Sequence, residues 1–186
     1  SAINYRKKNI LTAHAREMRN IRGRKIGLIF QDALSSFNPV LTIGQQMLEA
    51  VNQLHTSTFK QKKRQCLEQL SSVGIDQAET VYRSYPHQLS GGLRQRAMIA
   101  MVLLQAPDVL IADEPTTALD VRIQATVIAL LNQLRHEQGL GLLFITHDLS
   151  LVSTMADQIT VLKSGSVVEQ SAASTFYNQP LQAYSK

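Results

Sequence analysis

Between Asp108 and Asp113 the chain reads Asp-Val-Leu-Ile-Ala-Asp, four apolar residues in a row closed at both ends by acids. Such a run has no wet face, unlike the alternating pattern of a half-exposed strand, and predicts a strand covered on both sides. Residues 121–137 then place Ala125, Ile128, Leu131 and Leu134 at helical spacing, Gly139 ends the pattern, and 142–146 is a second apolar run. Strand, helix, strand in that order predicts parallel pairing through a helical crossover. The fold class is therefore α/β, a mostly parallel sheet flanked by helices. A short apolar run at 26–30, ended by Gln31 and Asp32, predicts one more buried strand.

A helical arm separates that first strand from the rest. Residues 42–54 and 59–73 carry apolar side chains at helical spacing, Ile43, Met47, Leu48, Val51 and Leu54, then Cys66, Leu67, Leu70 and Val73. Pro86 breaks the chain, Ser90 can cap a helix, and 91–104 follows as an apolar helical run despite its two opening glycines. The tail predicts strands at 158–162 and 166–168 around a turn at Lys163, Ser164 and Gly165, then a short helix from Ala172. No internal repeat or low-complexity tract interrupts this order.

Composition narrows the classes. With 44% hydrophobic and 18% charged residues over 186 positions, the chain is an ordinary globular one, not a disordered one. No window approaches the roughly 18 to 20 apolar residues of a membrane-spanning helix, and the first eight residues lack a signal-peptide core. Cys66 is the single cysteine, which excludes an intrachain disulfide or a multi-cysteine metal site and fits a reducing, cytosolic setting. The net charge of +5 is lopsided, because residues 1–25 hold eight Lys or Arg against the one acid Glu17. A basic end of this kind is either a solvated helix face or a contact for nucleic acid or an anionic membrane surface.

Three groups of residues carry chemistry. Asp113 and Glu114 stand where an apolar strand ends, the position at which open α/β sheets present their ligand crevice. Adjacent carboxylates there either cap a helix in solvent or perform metal and acid–base work, one holding Mg²⁺ and the other orienting or deprotonating a water. His147 ends the next predicted strand, and it gains a role in charge stabilisation only if it converges on the same crevice. The string Leu-Ser-Gly-Gly-Leu-Arg-Gln-Arg over 89–96 sets Ser90, Gly91 and Gly92 at a helix start, where unpaired N–H groups without Cβ interference suit an anion.

These residues, in this order, resemble the nucleotide-binding subunits of ABC transporters. Residues 89–96 resemble the family signature, 109–114 its Walker B strand and glutamate, Ala118, Leu119 and Asp120 its D-loop, Gln31 its Q-loop and His147 its switch histidine. The strings at 85–96 and 112–120, with Phe30, Gln31, Asp32, Asn38 and Pro39, are most similar to the dipeptide, oligopeptide and nickel importer branch. That resemblance implies ATP and Mg²⁺ as ligands: Gln31 and Asp113 for the metal, Glu114 as general base, His147 on the γ-phosphate. It implies that Ser90, Gly91, Gly92 and Gln95 act on nucleotide held by a second nucleotide-binding subunit, identical or not, with Asp120 joining the halves. It further implies transmembrane permease partners received by the helical arm, a solute-binding protein acting indirectly, no nucleic acid, and a peripheral place on the cytoplasmic face of the inner membrane.

One expected element is absent from the sequence: no Gly-x-x-x-x-Gly-Lys-Ser/Thr phosphate loop occurs. In the family that loop precedes the Q-loop by several tens of residues, so the expectation is a partial cassette, lacking its N-terminal part and the end of a C-terminal extension. Its parts would be the end of the N-terminal core with the Q-loop (1–41), a helical subdomain (42–88), the signature-to-switch region (89–170) and the start of the extension (171–186). The smaller departures are Leu93, where Gln is frequent, and Ala33, where Pro is. Two other readings compete: a non-catalytic partner cassette, and a non-transport ABC ATPase acting on nucleic acid or the ribosome.

Overall fold

The computed structural model describes residues 2–52, 58–117, 119–153 and 155–178. Leu54 and Ala118, and everything after Asn178, lie outside the described residues. The chain forms two compact units, 1–145 and 146–186.

The first unit begins with a two-residue hairpin, β1 (Asn4–Tyr5) and β2 (Lys8–Asn9), then a short helix α1 (Ala15–Ile21) and the strand β3 (Ile26–Ile29). Four helices follow, α2 (Ala33–Ser36), α3 (Ile43–Asn52), α4 (Phe59–Ser72) and α5 (Ala78–Arg83), and then α6 (Gly91–Leu103), β4 (Val109–Asp113), α7 (Val121–Gln138) and β5 (Gly141–Ile145). The three strands form a parallel sheet in the order β3-β4-β5, with Ile29 beside Ala112 and Ala112 beside Phe144.

Among the described residues the two faces of that sheet are unequally covered, which qualifies the expectation drawn from the 108–113 run: Val109 and Ile111 of β4 are half-buried where Leu110 and Ala112 are fully buried. Ile29, Leu110 and Ala112 are fully buried, while Leu28, Leu143 and Ile145 on the other face are 39%, 53% and 44% exposed. Topology supplies the reason. Both crossovers run in the same direction along the sheet, and right-handed connections of equal direction put their helices on the same side. Accordingly α6 packs on β3, and Ile123 of α7 lies against the start of α6. The apolar run of β4 is thus composed for two covered faces, and the described helices of the first unit cover one of them more fully.

The arm owes its stability to a core of Ile43, Met47, Val51, Cys66 and Leu70, all fully buried. Helix α4 begins with a capping box in which the Thr58 hydroxyl accepts from Gln61 N–H and Gln61 returns the bond to Thr58. Burial pushes the Cys66 thiol up to about 11, so it is a packing residue and not a nucleophile at neutral pH. Helices α3 and α5 meet at Gly44, where an added Cβ would stand 2.4 Å from two ring carbons of Tyr82. Gly44→Ala is therefore expected to destabilise the arm by about 1–3 kcal/mol, since a packed ring cannot retreat without opening its neighbours. Chemical denaturation of both proteins measures this, and equal midpoints would show that the arm yields at no cost.

The second unit is a hairpin and a helix: β6 (Gln158–Lys163), β7 (Ser166–Ala172) and α8 (Ala173–Asn178). Its two-residue turn has positive φ at Ser164 (49°) and Gly165 (78°), the primed turn that matches strand twist. Strand β7 runs to Ala172, four residues beyond the predicted end, and pairs Ala172 with Gln158. The polar residues Glu169, Gln170 and Ser171 masked it as loop, yet Glu169 is buried. Ile159, Ala173 and Phe176 form its core.

Candidate active site

The site is built where β4 ends. Asp113 is the last residue of the strand and is exposed. Glu114 is half-buried and adopts a positive φ of 43°, costly for a residue with a Cβ and tolerated only where surrounding bonds hold it. Three such bonds are in place. The Glu114 N–H donates to the Ile145 carbonyl at 2.9 Å, which continues the β4–β5 ladder one residue past the strand. Glu114 Oε2 accepts from Gln31 Nε2 and from Thr117 Oγ1, each at 2.9 Å. Pro115 then turns the chain, and the Thr117 N–H returns to the Glu114 carbonyl at 3.3 Å.

Gln31 follows β3 by two residues, so parallel pairing of β3 with β4 delivers its amide to the glutamate. Beside it lies a cavity of about 40 Å³ lined by Gln31, Asp32, Gly91, Arg94, Gln95 and Pro115. The start of α6 therefore borders the same ground as Gln31. Ser90 caps α6, its hydroxyl accepting from Leu93 N–H at 3.4 Å, and Ser90 is exposed while Gly91 is half-buried.

The residues at the start of α6 differ in their surroundings. Gln95 is only 2% exposed, with its Nε2 unpartnered at the edge of that cavity, so it faces inward and away from the exposed end of the helix. Gly92 is buried too, and a Cβ there would stand 2.8 Å from Ile123 Cγ2. Its small size is required by the packing of α7 on α6. At Gly91 the nearest atom would be Leu119 Cδ2 at an ordinary 3.5 Å, which makes Gly91, with Ser90, the accessible part of the helix start.

Asp120 is the N-cap of α7, its Oδ1 accepting from Arg122 N–H at 3.1 Å and Ile123 N–H at 3.0 Å. His147 belongs to the second unit, two residues after β5, and is exposed. Thr117 escaped the sequence reading. Its signal was Pro115: a proline at the second position of a turn beginning at Glu114 folds the fourth residue back onto the first.

The donors present suit Mg²⁺. One exposed carboxylate, Asp113, and one amide, Gln31, are the sparse oxygen set of a hard cation that keeps most of its shell in water and phosphate oxygens. Among the described residues no cluster of three or more His, Cys, Asp or Glu forms a metal cage.

Residues 2–117 match the family model described as ABC transporter. This chain belongs to the ABC transporter family. As a member it is 44% identical, over 99% of its length, to an uncharacterized ABC transporter ATP-binding protein, YejF, of Escherichia coli K12, and covers 35% of that protein. It is 42% identical over 98% of its length to a probable peptide ABC transporter ATP-binding protein, y4tR, of Sinorhizobium fredii, covering 54% of it. The same identity holds over 93% of the chain with the glutathione import ATP-binding protein GsiA of E. coli K12. This ABC cassette thus spans about half or less of the length of the curated relatives it matches. Among solved structures it resembles the ATP-binding cassette MJ0796, a dimer in a post-hydrolysis state bound to ADP and Pi, with a TM-score of 0.79 at 27% identity over 91% of this chain and 72% of that one. The α/β architecture is that of an ABC ATPase cassette. No helix of the described residues is long and apolar enough to cross a membrane.

Proposed function

We propose that this cassette is the ATP-hydrolysing part of an importer for peptides or peptide-like solutes, with nickel or metal chelates as the other solutes of the branch it resembles. The observation that carries the reading is the Glu114 carboxylate at the end of β4, held by the Gln31 amide at 2.9 Å. Relatives named as a probable peptide ABC transporter ATP-binding protein and a glutathione import ATP-binding protein support the solute class. The partners are then a second nucleotide-binding subunit, transmembrane permease subunits and, indirectly, a solute-binding protein, which places the cassette peripherally on the cytoplasmic face of the inner membrane.

In this reading Glu114 orients a water and takes its proton as the water oxygen bonds to the γ-phosphorus and the bond to the bridging oxygen breaks. Asp113 and Gln31 would hold Mg²⁺, which when bound would neutralise charge on the phosphate oxygens. His147 contacts the γ-phosphate. Ser90 and Gly91 present the start of α6 to nucleotide bound by the opposite subunit, the N–H groups and helix dipole favouring the anion. Asp120, at the start of α7, contributes to the junction of the two subunits.

Because the 186 residues contain no phosphate-loop motif, the polypeptide 1–186 alone is expected neither to bind MgATP tightly nor to hydrolyse it. The backbone cradle and lysine that hold the β- and γ-phosphates supply most of such affinity. Calorimetric titration with MgATP checks this. Micromolar binding with turnover would require a phosphate site built from other residues.

A further inference from the structure

We propose that Thr117 is a positioning residue for the reaction, setting the orientation of the Glu114 carboxylate through the hydroxyl bond at 2.9 Å; the inference rests on the ATPase reading above. A glutamate side chain has three rotatable bonds, and a base acts on a water only when its carboxylate plane is aimed. On Glu114 that aim is set from two sides. Gln31 Nε2 reaches Oε2 from β3 and Thr117 Oγ1 reaches the same oxygen from the turn after β4. Two donors converging on one oxygen fix the carboxylate plane as one donor does not, and charge-assisted bonds of this kind are the strong ones.

The two donors differ in what else they do. Gln31 and Thr117 are both exposed, but the Gln31 amide is assigned to the metal in the proposed reaction, so its bond to Glu114 is one that substrate binding can draw on. Thr117 has no such second duty. Its hydroxyl is carried by the same turn as the glutamate, closed by Pro115 and by the Thr117 N–H to Glu114 carbonyl bond at 3.3 Å. The preceding turn residue is tied down in its own way: Thr116 is buried, and its carbonyl accepts from Gln124 Nε2 of α7 at 3.0 Å. The proline turn and the Gln124 bond to Thr116 thus tie Thr117 to the segment that carries the base, while Gln31 reaches it from a separate strand.

The test uses the complete protein with three substitutions at one position. Thr117→Val keeps shape and β-branching but deletes the donor, and should lower kcat for ATP roughly tenfold, the weight of one hydrogen bond to a charged group, with KM for ATP unchanged. Thr117→Ser restores the donor and should stay within about threefold of the unaltered kcat. If Thr117→Val folds poorly, judged by its thermal midpoint, Thr117→Ala gives the same comparison without added bulk. Full kcat in the valine or alanine variant would overturn the inference, as would a serine variant as slow as valine, which would reduce Thr117 to a turn-packing residue. An unaltered protein that hydrolyses no ATP would instead overturn the functional reading.

Discussion

Glu114→Gln in the complete protein is expected to leave MgATP binding intact and to slow phosphate release by about two to four orders of magnitude, the usual loss when a general base is removed. The substitution is a close mimic. The amide has the size and planarity of the carboxylate, and through its oxygen it can still accept from Gln31 Nε2 and Thr117 Oγ1, both of which donate to Glu114. The strained backbone at φ 43° and the N–H bond to Ile145 are indifferent to the change. What disappears is the lone pair that takes the proton. Binding by filtration or calorimetry and turnover by phosphate release separate the two effects, and unchanged turnover would make Glu114 a structural acid.

The second large effect concerns α6. Gly91→Asp is expected to abolish hydrolysis while leaving the subunit folded and its own nucleotide pocket occupied. Asp at the first turn of a helix is favourable to the helix itself, because its charge complements the dipole at that end. The added Cβ meets only Leu119 at 3.5 Å, an ordinary contact. The same charge facing a γ-phosphate on the opposing subunit is repulsive. Gly92→Asp would be a poorer probe, since its Cβ would first collide with Ile123 at 2.8 Å and lose stability by overpacking. Heterodimers pairing a Gly91→Asp subunit with one whose phosphate-loop lysine is removed place both lesions in one composite site. They should retain hydrolysis at the other.

Much of this geometry was legible in the residue order. The apolar run before Asp113 and Glu114 announced a strand with acids at its end, and the family resemblance, not the strand pattern, pointed to Gln31 as their neighbour. Ser90 was readable as a cap because a serine before an apolar helical run has few other uses. What stayed hidden depends on contacts between distant segments. Gly92 looks identical to Gly91 in sequence, and only Ile123, thirty-one positions on, distinguishes a packing glycine from an accessible one. Gln95 sits in the signature string, yet the turn of α6 rotates it inward. The covered and bare faces of the sheet could not be told apart either, since composition reports that β4 suits two covers, while crossover handedness decides which side α6 and α7 take.

A site completed by a second subunit requires ATP-dependent dimerisation, and sedimentation of the complete Glu114→Gln protein with and without ATP measures it. A hydrolysis-deficient subunit should be monomeric without nucleotide and dimeric with it, and adding Gly91→Asp should hold it monomeric with ATP still bound. A Glu114→Gln protein that stays monomeric while saturated with ATP, or a Gly91→Asp double variant that dimerises as readily as the single, would contradict the shared site.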